Sequence, residues 1–106
     1  MRIAAARLRE AQEVLLRHGF SKQHERIFSM DVVERDRGVQ CMVGLDQSED
    51  PLRFEVQVRC LERPVTPGKK GTDIARVRVI DLNAAPASIR AAAEAALAEL
   101  AALEAR

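Results

Sequence analysis

Between Leu52 and Cys60 the chain alternates apolar and polar side chains without a break: Leu-Arg-Phe-Glu-Val-Gln-Val-Arg-Cys. A period of two marks a strand with one face in a core and the other outside. Neighbouring segments follow the same rule. Arg26 to Arg35 puts Phe28, Met30 and Val32 on one face, with Ile27, Ser29, Asp31 and Val33 on the other. Val39 to Leu45 sets Val39, Cys41, Val43 and Leu45 against Gln40, Met42 and Gly44. A fourth strand, Thr72 to Leu82, turns Ala75, Val77 and Val79 inward and Ile74, Arg76, Arg78 and Ile80 outward.

The two ends change to a helical period. From Ile3 to His18, residues Ala4, Leu8, Ala11 and Leu15 form one stripe. Gly19 supplies the left-handed stop, and Phe20 folds back onto Leu15. Pro86 to Ala105 is a second helix, with Ile89, Ala93, Ala96, Leu97, Leu100 and Leu103 as its apolar stripe. Pro86 suits a first helical position, because its missing N–H has no intrahelical partner there.

The connections are polar or rich in Gly and Pro. Ser21–Glu25 is a connector. Asp36-Arg37-Gly38 is a turn with Gly38 free to take positive φ, Asp46–Pro51 is a hairpin loop, and Glu62–Gly71 is the longest loop. Pairing Leu45 with Leu52 keeps every apolar partner on one face, with Val43 beside Phe54 and Cys41 beside Val56. That register holds Cys60 roughly 13 Å beyond the partner of Cys41, too far for a disulfide. The expected fold is α+β, in the order α-β-β-β-β-α. It is a two-layer sandwich, a four-stranded antiparallel meander with both terminal helices on one sheet face.

Composition narrows the class without naming it. The 106 residues suit a single domain, 1–106, with an unassisted core. Net charge is +1, so no global field favours nucleic acid or membrane. A charged N-terminus and two thiols without a disulfide spacing point to the cytoplasm. The Ala- and Arg-rich usage points to a GC-rich bacterial genome.

No catalytic, cofactor or metal site emerges. Pro67-Gly68-Lys69-Lys70-Gly71-Thr72 lacks the P-loop spacing and runs into a strand. Asp46–Asp50 lacks the alternating ligands of a calcium loop. His18 and His24 have no zinc spacing with Cys41 or Cys60, and a Cys60–histidine nucleophile pair has only its position near a strand end to recommend it.

The outer sheet face carries the remaining signal. It mixes arginine with aliphatic side chains, a composition closer to a protein interface than to a phosphate track. The first reading is therefore a non-catalytic protein-interaction module, a small adaptor, chaperone-like or phage-type accessory protein. It self-associates as a homodimer through Met42, Arg53, Arg59, Ile74, Arg76 and Arg78. The second is a nucleic-acid-binding regulator that places Arg53, Arg59, Lys69, Lys70, Arg76 and Arg78 on phosphates. Against the second stands the absence of aromatics on that face, since open-sheet readers stack bases on them.

Overall fold

The computed structural model describes residues 1–65 and 76–105. It is an α+β fold, an antiparallel sheet with two helices. The strands are β1 (Arg2–Ala4), β2 (Ser21–His24), β3 (Ile27–Glu34), β4 (Arg37–Gln47), β5 (Arg53–Pro64) and β6 (Arg78–Ile80). The helices are α1 (Leu8–Arg17) and α2 (Ala87–Glu104). The sheet runs β1-β5-β4-β3-β2, and β6 pairs with β5 on the same edge as β1.

Three of the expected strands are present, the fourth is described only over Arg78–Ile80, and β1 and β2 join them. Ile3 was expected to open the first helix. Instead Arg2–Ala4 pairs with Arg53–Glu55, and Ile3 sits fully buried opposite Phe54. Here β-branched packing against a core aromatic outweighs the helix preference of the alanines that follow. A single 3₁₀ turn, Ala5–Arg7, then leads into α1. The polar connector Ser21–His24 is an edge strand paired with β3 and exposed throughout. Its Lys22 is the kind of residue that keeps an edge from recruiting another strand.

The central hairpin is longer than its alternating core suggests. β4 and β5 pair from Arg37–Pro64 to Gln47–Phe54. Leu45 therefore meets Val56 rather than Leu52, and Cys41 meets Cys60 rather than Val56. The slip is four residues, an even number, so every side chain keeps its face. The loop between β4 and β5 is closed by its own hydrogen bonds. Ser48 Oγ donates to the carbonyls of Asp50 (2.8 Å) and Arg53 (2.9 Å), and the Leu52 amide donates to Asp50 Oδ1 at 2.9 Å.

The β3–β4 turn is also displaced. Glu34 pairs with Arg37, which leaves Arg35-Asp36 as a two-residue loop. Such loops need positive φ at their first position, and Arg35 supplies it at 57°. Gly38 lies within β4, opposite Val33 and Arg63. A Cβ there would come within 3.1 Å of Arg63 Nε, so this glycine makes room for the arginine stem rather than for a turn.

One core fills the space between the helices and one sheet face. Phe28, Val43, Leu45, Phe54 and Cys41 from the sheet meet Ala11 and Leu15 of α1, and Ile89, Ala93, Ala96 and Leu100 of α2. Alanines on α2 let its backbone approach closely. The α1 exit follows the Schellman pattern: the Phe20 amide donates to the Leu15 carbonyl at 3.0 Å and that of Gly19 to Leu16 at 3.1 Å. Gly19 has φ +92° and Phe20 is buried. Pro86 caps α2 from just outside it.

In the last strand the phase is inverted. Ile80 pairs with Cys60 on the core side, whereas Val79, expected inward, pairs with Leu61 and is 67% exposed. Two adjacent branched residues carry no period of their own, and the pairing with β5 decides between them.

Two backbone substitutions should move stability in opposite directions. Gly19→Ala forces a side chain into the left-handed region, with its Cβ 3.2 Å from Met30 Cε, and should lower unfolding free energy by roughly 1–2 kcal/mol. Arg35→Gly removes the corresponding cost at the β3–β4 turn and should raise it by up to about 1 kcal/mol. Urea unfolding midpoints measure both. In α2, Leu100→Ala, at a fully buried site, should cost roughly 2–5 kcal/mol, and half-buried Leu97→Ala distinctly less by the same assay.

Candidate interaction surface

The face of the sheet turned away from the helices presents its side chains in cross-strand rows. Val79, Leu61, Gln40 and Asp31 form one row. Arg59, Met42, Ser29 and Ser21 form the next, and Gln57, Gly44 and Ile27 the one after. Arg2, Glu55 and Asp46 follow. At the opposite end Arg63, Gly38 and Val33 share a row. Ile27, Val33 and Val79 stand well exposed, while Met42 and Leu61 are half-buried. Ser29 is buried between Met42 and Ser21, and its hydroxyl has no hydrogen-bond partner among the described residues.

Of the residues predicted for this face, Met42, Arg53 and Arg59 are on it. Arg78 is not. It pairs with Glu62, two residues beyond the core-facing Cys60–Ile80 pair, and so lies on the helix side. Arg76 lines the same corner. The inverted phase of the last strand moves both away from Arg53 and Arg59. Lys69, Lys70 and Ile74, with the whole of the Gly-Lys-Lys-Gly stretch, lie outside the described residues.

Arg78 belongs to an ion cluster centred on Glu62, a residue expected to open the longest loop. Glu62 accepts hydrogen bonds from Arg37 Nη1 at 2.7 Å, and from Arg78 Nη2 at 2.7 Å and Nε at 3.0 Å. Arg37 Nη1 also reaches the Ala84 carbonyl at 3.3 Å. The cluster ties β4, β5 and β6 together where the sheet runs past the helices, and Asp36, Pro64 and Arg76 wall the hollow beside it. The hydrogen bond from Arg37, then that from Arg78, holds the Glu62 carboxyl below its ordinary pKa of 4.5. The Leu61-Glu62-Arg63 continuation of β5 went unseen because adjacent Cys60 and Leu61 interrupt the alternation. Leu61 lies on the outer face beside Val79 and Gln40.

A second carboxylate joins the helices. Glu99 of α2 accepts from Arg17 of α1, and His18 Nε2 lies 3.1 Å from its other oxygen. Arg17 first, then His18, lowers its pKa below 4.5. Glu104 Oε2 accepts the Arg2 amide at 2.6 Å, which fastens the end of α2 to β1.

Among the described residues no three His, Cys, Asp or Glu side chains gather as a metal site. His24 is exposed on edge strand β2, whereas Cys60 is in the core beside Cys41. No described helix is long and apolar enough to cross a membrane. No known protein family, curated protein or solved structure matches the chain.

The lowered carboxyl pKa values give an acid dependence of known sign. A folded carboxyl that ionises below its unfolded value stabilises the fold fully above about pH 4.5 and ceases to do so as pH falls through the folded value. Unfolding free energy should therefore decline between about pH 5 and pH 3. Glu62→Gln should be less stable at neutral pH and show a shallower decline, which urea titrations across that range will measure.

Proposed function

We propose that this protein is a non-catalytic interaction module that self-associates through the outer face of its sheet. It would serve as a small adaptor or as a chaperone-like or phage-type accessory protein. The observation that carries the reading is the mixture on that face. Exposed Ile27, Val33 and Val79, with Met42 and Leu61, lie among charges of both signs, and both helices pack on the other side. Free thiols in the core fit a reducing compartment, and we place the protein in the cytoplasm.

Charge favours a second copy as the occupant. Arg2, Arg53, Arg59 and Arg63 share the face with Asp31, Asp46 and Glu55, so it is close to neutral and self-complementary in sign. Glu55 and Arg59 flank Gln57 symmetrically along β5. Two outer faces related by a two-fold axis along the Gln57–Gly44–Ile27 row would set each Arg59 against Glu55 of the partner subunit. Ile27 would meet its own copy. A nucleic-acid role loses support in proportion: Arg78 is engaged by Glu62, and acidic groups interrupt the remaining arginines.

Sedimentation at micromolar concentration tests the reading. The wild type should be a dimer, weakened by salt. Arg59→Glu should be a monomer, because it sets like charges in apposition. The double variant Glu55→Arg/Arg59→Glu should recover the dimer, since it restores both pairs with reversed sign. A wild type that stays monomeric, or a double variant no better than the single, would refute this arrangement.

A further inference from the structure

Cys41 and Cys60 are direct cross-strand partners on β4 and β5, both buried and both free. Backbone hydrogen bonds define the kind of pair they form. The Val56 amide donates to the Met1 carbonyl at 2.9 Å, and the Leu52 carbonyl accepts from Ala5 at 2.7 Å. Even-numbered residues of β5 therefore point their backbone polar groups away from β4. The Leu45 amide donates to the Arg26 carbonyl at 2.7 Å, so odd-numbered residues of β4 point theirs toward β3. Cys41 and Cys60 consequently face each other as a non-hydrogen-bonded pair, in which Cα atoms are about 4.5 Å apart and side chains come closest. Disulfides need Cα separations of roughly 4.4–6.8 Å. Both side chains point to the core face, and both are buried there.

We propose that Cys41 and Cys60 are a reversible oxidation site, closed to a cross-strand disulfide by a hydroperoxide. Cys60 reacts first. Its outer neighbour is the three-residue β6, whereas Cys41 lies between two long strands. The Cys60 sulfur attacks one oxygen of hydrogen peroxide, the O–O bond breaks, and the thiol proton leaves with the departing oxygen as water. The Cys41 sulfur then attacks the sulfenic sulfur of Cys60. The S–S bond forms, the S–O bond breaks, and a second water carries away the Cys41 proton. Two thiols lose two electrons in total, and one peroxide takes them up. Burial pushes the Cys41 thiol up to about 12 and raises that of Cys60, so little thiolate is present and the reaction is slow. Its pace is set by the opening of β6.

The test is peroxide treatment of the folded protein, followed by denaturation, thiol alkylation and a non-reducing peptide map. Expected are loss of both alkylatable thiols, a Cys41–Cys60 linked peptide in monomeric protein, a melting temperature raised by several degrees, and full reversal by dithiothreitol. Cys41→Ala should stop at a Cys60 sulfenic acid that dimedone captures, and Cys60→Ala should leave Cys41 a thiol. Circular dichroism checks that each variant folds. The proposal is overturned if both thiols survive in the folded wild type, if the disulfides formed are only between molecules, or if the internal bond forms only in urea.

Discussion

The pairing of β4 with β5 is the constraint on which the other contacts depend. It runs unbroken from Arg37–Pro64 to Gln47–Phe54 and sets the floor of the core. Its register brings Val43 to Val58 and Leu45 to Val56, and so presents one continuous apolar surface to the helices. The same register brings Arg37 near Glu62 and Cys41 beside Cys60, pairs that no local rule would assemble. On its far edge β5 receives β1 at one end and β6 at the other.

Much of this was legible in the chain. Alternation along β3, β4 and β5 correctly assigned Phe28, Cys41, Val43, Leu45 and Phe54 to the core side, and helical spacing located Leu15, Ile89 and Leu100. The Gly19 stop was legible because it needs only local chemistry. Register was not, since sliding two strands by an even number of residues leaves every face unchanged. The phase of β6 was ambiguous for a related reason: Val79-Ile80 fits either face until Cys60 and Leu61 choose. β1 was hidden because a three-residue strand has no periodicity. Ile3 becomes strand only because Phe54 lies beside it.

Those ambiguities bear most on the outer surface. Arg53, Met42 and Arg59 sat in a well-defined alternating run and were placed correctly. Arg76 and Arg78 depended on the uncertain phase and moved to the other side. The outer face consequently gives up Arg76, Arg78 and Ile80 and gains Leu61, Arg63 and Val79, a net loss of one positive charge and a net gain of one aliphatic side chain. Glu62, seemingly a loop residue, turns out to hold three strands together through two arginines.

The attachment of β1 to β5 also has a temporal side. Ile3 leaves the ribosome long before Phe54, the residue that will cover it, and α2, whose Glu104 receives the Arg2 amide, comes later still. The first strand must remain unpaired while the β3–β4–β5 meander forms through short-range closures, which are quick relative to contacts that span half the chain. β1 thus belongs to the last stage of folding, although it is made before the strand with which it pairs.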